Sequence, residues 1–285
     1  MRVVAALGVV FLLAGCVADG AAVTTTSTAA TTTTGDLSPS TLPPVVECPG
    51  IGDFAEGRGI AYIDGAESDT RRLGRISWDT SDQCESFRFE FETSEAAPAT
   101  SPPDVRVDHL ESFQVIRIGL DIDSAIITDQ LVETNLVDRL YVVRSLTGEI
   151  FVDLHLSAPA AVRVSSSSSP ARLTVDLRPG FVPFSGEVTV GENVVLTSPT
   201  AGAEVGPRTQ LLGYARTLEA NVLAIATQDG RVVAEADTTA ADSLQTWGEY
   251  RLPIVLPPGP STLFVGEANP WDGSLYRITI DLTRN

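Results

Sequence analysis

The segment SFRFEFE, Ser86–Glu92, alternates large apolar and charged side chains with a period of two. Phe87, Phe89 and Phe91 share one side, and Arg88 and Glu90 share the other. Such a segment can bury one side only as a β-strand, because a helix would scatter the three rings around its circumference. The same period recurs in VIRIGLDI, where Ile116, Ile118, Leu120 and Ile122 oppose Arg117 and Asp121. In EIFVDLHL, Ile150, Val152, Leu154 and Leu156 oppose Asp153 and His155, and RLTVDL repeats the pattern with Leu173, Val175 and Leu177. LTGE, between Tyr141–Val143 and Ile150–Leu156, predicts a hairpin, and SSSSSP separates the next two strands. Only Ser124 to Glu133 reads as a short helix. This part of the chain is therefore expected to be a β-sandwich or small barrel.

A second series of strands follows RPGFVPFSGEVTVGE. They fall near Val194–Thr197, Gln210–Ala215, Val222–Thr227, Val232–Asp237, Tyr250–Val255, Thr262–Glu267 and Tyr276–Leu282, with SPTAG, QDG, LPPGP and NPWDG as turns between them. Short strands at even spacing predict an immunoglobulin-like sandwich, without the internal cysteine pair of antibody domains. The fold class expected is thus all-β, with two β-sandwich domains, residues 48–182 and 190–285. The break between them falls near Pro183 to Glu192.

The chain begins differently. Arg2 precedes an apolar or small run from Val3 to Gly15, shorter than the roughly 20 residues a bilayer span needs. A charged start, a short apolar centre and a small-residue end read as a secretory signal over residues 1–15. Leu13-Ala14-Gly15-Cys16 resembles a bacterial lipoprotein box. The resemblance implies cleavage before Cys16 and acylation (palmitate included) of that residue, which anchors the chain in the bilayer on the extracytoplasmic side. Several acyl chains are needed for a firm hold, since one holds only marginally. From Val17 to Glu47 the chain is rich in Thr, Ser and Pro and has almost nothing to bury, so a disordered linker is expected, spanning about 30 Å as a flexible coil. Its Thr cluster is a candidate for O-linked sugars.

Composition narrows function. The formal net charge is -18, which repels nucleic acid and anionic lipid surfaces and argues against DNA or RNA as partner. All 19 basic residues are arginine, which resembles the codon bias of a high-GC bacterium such as an actinobacterium. With Cys16 assigned as the lipid anchor, Cys48 and Cys84 remain. In an exported chain two cysteines most simply form a disulfide, and a redox or metal pair would need the C-x-x-C spacing and neighbouring histidines this chain lacks.

Two stretches resemble known families. GEIFVDLHLSAPAAVRVSSSSSPARLTVDLRPG, Gly148 to Gly180, resembles the AMIN domain, above all in Pro170-Ala171-Arg172-Leu173-Thr174-Val175-Asp176-Leu177. SEAAPATSPPDVRVDHLESF then reads as an insertion or a divergent connection. AMIN domains are β-sandwiches of the periplasm and cell wall that localise amidases and secretins, with peptidoglycan as proposed ligand. Val194 to Leu282 resembles the immunoglobulin-like domain that ends bacterial spore-germination (Gmad family) and related envelope lipoproteins. Ser198-Pro199, Gly202, Val205, Gly213-Tyr214-Ala215, Glu219-Ala220-Asn221-Val222 and Asp272-Gly273 carry that likeness. It implies a binding or scaffolding module rather than an enzyme.

No catalytic constellation stands out. The chain has 2 histidines, His109 and His155; His155 lies on the polar side of its strand and reads as a solvated surface residue. No nucleophile elbow, zinc ligand set or phosphate loop accompanies them. Asp121 and Asp123 in DIDSAIITD lack the Gly and closing Glu of a calcium loop and read as solvated strand-end acids. Trp247 and Tyr250 are expected in the core. NPWDG reads first as a Pro/Gly turn in which Trp271 covers the sandwich end, and the alternative is a ligand contact, for which Trp271 and Asp272 are the candidate residues. The expectation is a non-catalytic, lipid-anchored envelope protein that needs no cofactor or metal and binds peptidoglycan or envelope proteins through loops or sheet edges. The alternatives are an assembly factor that binds only protein, and a wall-modifying enzyme whose carboxylates the sequence does not single out.

Overall fold

The computed structural model describes residues 48, 50, 52–65, 67–81, 84–110, 114–184, 186–268 and 275–284. The first half contributes β1 (Ala61–Ile63), β2 (Arg72–Ser81), β3 (Cys84–Glu92), β4 (Val105–Leu110), β5 (Val115–Leu120) and β6 (Ser124–Ala125). It continues with β7 (Asp129–Leu131), β8 (Val137–Arg144), β9 (Ile150–Leu156), β10 (Ala160–Ser167) and β11 (Arg172–Pro179). The second half contributes β12 (Thr189–Val190), β13 (Val194–Ser198), β14 (Glu204–Val205), β15 (Arg208–Ala215) and β16 (Asn221–Gln228). It ends with β17 (Arg231–Thr239), β18 (Trp247–Val255), β19 (Gly259–Ala268) and β20 (Leu275–Arg284). The architecture is all-β, and each of the seven strands expected in the second half is present. Among the described residues no helix is long and apolar enough to cross a membrane.

Three sheets build two cores. One five-stranded sheet runs β10-β11-β3-β2-β6 and another β14-β20-β19-β16-β17. Between them lies a ten-stranded sheet, β1-β4-β5-β9-β8-β18-β15-β13-β12, with β7 on β8. Its first half packs on the β3 sheet around Phe87, Phe89, Phe91, Ile116, Ile118, Leu140, Val152 and Leu154. Its second half packs on the β19 sheet around Leu211, Val222, Tyr250, Leu252, Leu263 and Val265. The period-two residues of the sequence are those that face each core, so burial of apolar area, worth about 25 cal/mol per Å², fixes which side of each strand turns inward. The two sandwiches are therefore not simply tethered. β8 and β18 join them edge to edge, in parallel, through Val143↔Trp247 and Arg144↔Gly248.

Two readings of the sequence change here. Ser124 to Glu133 forms no helix: Ser124 and Ala125 pair with β2, and Asp129–Leu131 pair with β8. The segment SEAAPATSPPDVRVDHLESF, read as an insertion or a divergent connection, contributes β4, which sits between β1 and β5 in the large sheet.

The first described residues strap the first sandwich. Cys48 is disulfide-bonded to Cys84, with Cα atoms 5.4 Å apart. Cys48 O and Gly50 O accept hydrogen bonds from Arg163, which is itself paired with Asp176 at 2.7 Å in a buried position. The Phe54 ring lies between two guanidinium groups, Arg163 at 4.7 Å and Arg178 at 4.4 Å. Glu56 accepts the backbone N–H groups of Phe181 and Val182 at the end of the sandwich. Closing the loop between the cysteines contributes about 3–4 kcal/mol on the chain-entropy account.

Candidate functional site: one sheet face, half sealed and half open

The face of the large sheet that points away from the first core carries the polar residues of β4, β5 and β9. The register places Tyr62, Arg106, Gly119, Phe151 and Val143 in one row across β1, β4, β5, β9 and β8. Asp108, Arg117, Asp153 and Tyr141 form the next row, and His155 and Arg139 stand opposite each other in the one after. A single-domain sandwich would leave all of these in water. Here the immunoglobulin-like half folds over the β8–β9 side and leaves the β1–β4–β5 side open.

The sealed side is an aromatic cluster. Tyr141, Val143 and Phe151 meet Val195, Tyr214 and Trp247, all buried. Tyr141 packs edge-on to Trp247 at 4.9 Å and tilted against Tyr214 at 5.2 Å and His155 at 4.8 Å. Such pairs add about 0.5–1.5 kcal/mol each beyond the area they bury. Gly248 lets the loop before β18 close on the seam, because a Cβ there would stand 2.2 Å from the backbone of Asp242. Asp242 collects the N–H groups of Ser243, Leu244 and Thr246 and pairs with Arg144 of β8 at 3.6 Å. Glu249 accepts the N–H of Leu146, and Arg216 reaches Asp129 at 3.8 Å.

His155 corrects the sequence reading directly. It is 5% exposed, and its Nε2 shares a hydrogen bond with the Tyr214 hydroxyl across the seam. Burial, with the nearby Arg117 and Arg139 charges, pushes its pKa down to about 3, so the imidazole is neutral at physiological pH. Burial also raises the Tyr214 pKa well above its ordinary value. The His155–Tyr214 hydrogen bond ties β9 of the first sandwich to β15 of the second.

The boundary between sealed and open sides is Arg117. Its Nε and Nη2 donate to the two carboxylate oxygens of Asp153 at 2.8 and 2.7 Å, and its guanidinium covers the Phe151 ring at 3.8 Å. Burial raises the Asp153 carboxyl above its ordinary value, and the charge and two hydrogen bonds of Arg117 work against that rise. Burial opposes the Arg117 charge in turn, but Asp153 outweighs it and raises the guanidinium pKa.

Beyond Arg117 the sheet face becomes the floor of an open groove of about 640 Å³, within the size range of ligand sites. Its floor is Arg106, Arg117, Gly119 and Phe151; Tyr62 forms one lip, and the β8–β9 turn with Glu249 of the second sandwich forms the opposite wall. Gly119 makes the floor flat: the nearest atoms to a Cβ placed there are Arg106 O at 3.7 Å and Arg106 Cβ at 3.9 Å. Tyr62 is 68% exposed. The groove takes residues from both sandwiches, so its shape depends on the seam.

Of the residues singled out in the sequence, Cys16, Trp271 and Asp272 lie outside the described residues. Trp247 and Tyr250 are buried as expected, and Tyr250 donates to Val195 O at 3.1 Å. His109 is buried on the side of β4 facing the first core. Asp121 and Asp123 are exposed, and Asp121 lines the groove. Tyr62, Gly119, Phe151 and Glu249 were missed. The overlooked signal was LYVV, Leu140–Val143: four consecutive apolar residues mark a strand covered on both faces. Among the described residues no group of three or more His, Cys, Asp or Glu is placed to hold a metal ion.

No curated protein and no solved structure matches the chain. Its second sandwich does match a family: residues 193–274 fit the immunoglobulin-like domain of bacterial spore germination, Gmad2.

Proposed function

We propose that this is a non-catalytic binding and scaffolding protein of the bacterial cell envelope, held to the membrane through acylated Cys16 and engaging peptidoglycan through its groove. The observation that carries the reading is the groove itself. Two sandwiches share one sheet, the seam between them is buried and aromatic, and the open remainder of the same face is concave and polar. A rigid body that presents such a surface suits recognition rather than turnover. The likeness of Gly148–Gly180 to the AMIN domain supports a wall polymer as ligand, and the match of residues 193–274 supports an envelope setting. The lipoprotein-like start and the Thr-rich linker support display at a distance from the bilayer.

The test is co-sedimentation of the full chain, in mild detergent, with purified protein-free sacculi. Saturable pelleting that Gly119→Leu abolishes is the expected result. Absence of pelleting would overturn the wall reading and leave protein partners as the ligand class. Release of soluble wall fragments would instead revive the enzyme alternative.

A further inference from the structure

We infer that the groove receives a positively charged ligand, an ammonium-bearing peptide chain, rather than a neutral glycan or an anionic polymer. This rests on the reading of the groove as the binding surface and adds the chemistry that selects its occupant.

The floor is electrically closed. Arg106 pairs with Asp108 at 2.7 Å and Arg117 with Asp153 at 2.7 Å, so each cation there is already matched by an anion. The walls are not closed. Asp104, Asp121, Glu149 and Glu249 all line the groove. Among the described residues none of the four takes part in an ion pair. Glu249 and Asp104 are instead fixed by backbone N–H groups, of Leu146 at 3.0 Å and Gly65 at 2.5 Å. Those bonds hold the carboxylates in place without neutralising them.

Four carboxylates that form no ion pair line the concavity, Glu249 alone of them being near enough to feel the Arg117 charge, and the chain's charge of -18 offers no distant compensation, so negative potential concentrates there. An anionic ligand would be repelled, and a neutral sugar would leave the charges unanswered. An ammonium group answers them, and the exposed Tyr62 ring at the lip offers it a cation–π face. The flat floor at Gly119 gives an extended backbone room to lie across β4 and β5. Because Glu249 comes from one sandwich and the other three carboxylates from its neighbour, the charge pattern exists only when the seam is closed.

The experiment uses the full chain in detergent and three capped peptides: acetyl-Ala-Lys-Ala-Lys-Ala-amide, its Nε-acetylated form and the Glu counterpart. Binding is followed by amide chemical shifts of Gly119, Phe151 and Glu249. The lysine peptide is expected to bind saturably at these amides and the other two not. Glu149→Gln with Glu249→Gln should weaken it about tenfold, as loss of about 1.4 kcal/mol implies. Binding should also weaken as salt shortens the screening length from about 30 Å at 0.01 M to about 3 Å at 1 M. Equal binding of all three peptides, or of none, would overturn the inference. Sacculi that pellet the protein while the lysine peptide fails to bind would overturn it too and leave the wall reading standing. Lysine-peptide binding without pelleting would do the reverse.

Discussion

The two sides of one sheet face differ in what covers them, and the difference separates stability from recognition. Around Tyr141, His155, Tyr214 and Trp247 the second sandwich covers the face, and these side chains are buried against one another. Across the sheet on β4 and β5, past Arg117, no described residue of the second sandwich lies over the face, and Arg106, Gly119 and the wall carboxylates line the open groove. The lesson is that the sealed side sets the shape of the open one.

That comparison can be broken most severely at its centre. Trp247→Ala should destabilise the protein by about 3–5 kcal/mol, because the cavity opens in the seam rather than in either core. Thermal unfolding should then split into two transitions; a single transition at the wild-type midpoint would contradict the account. Arg117→Ala should come close behind, since it strands the buried Asp153 carboxylate at a cost of about 3–5 kcal/mol. Arg117→Met combined with Asp153→Leu should recover most of that loss. A double variant as unstable as the single one would mean that packing on Phe151, not charge, is what Arg117 supplies.

A milder probe is pH. The folded pKa of His155, about 3, lies below its ordinary value of 6.5. The unfolded chain therefore binds the proton first as pH falls. The stability due to the neutral imidazole is complete above about 6.5 and is lost downward toward 3, by about 1.4 kcal/mol per pH unit. Denaturant midpoints between pH 7 and 5 should fall in the wild type and flatten in His155→Gln. The smallest expected effect is that of Gly119→Leu, within about 0.5 kcal/mol of wild type, because a Cβ there meets Arg106 only at ordinary contact distance, 3.7 Å, and the rest of the side chain points into the groove. A large loss of stability there would show that the floor of the groove is structural after all.

Much of this molecule is legible in its sequence. The phenylalanines at 87, 89 and 91 and the isoleucines at 116 and 118 announce their strands, because period two has one physical solution when one face is buried. Cys48 and Cys84 announce their bond by elimination. The misreadings share a cause. Ser124–Glu133 looks helical locally, but its hydrogen-bond partners are β2 and β8, distant in sequence. His155 looks solvated because it alternates with the core residues of β9, and alternation says nothing about what a second domain will lay over the polar side. Gly119 and Glu249 carry no local signal at all; they form one groove only after β8 and β18 pair.

The central claim is that the two sandwiches form one rigid body whose seam fixes the groove. Native-state hydrogen exchange at the amides of Val143, Arg144, Trp247 and Gly248 tests it most directly. Protection comparable to that of β5 and β15 in the two cores is expected. Exchange at these four amides orders of magnitude faster than in either core would mean that the sandwiches part readily, and that no groove of fixed shape exists between them.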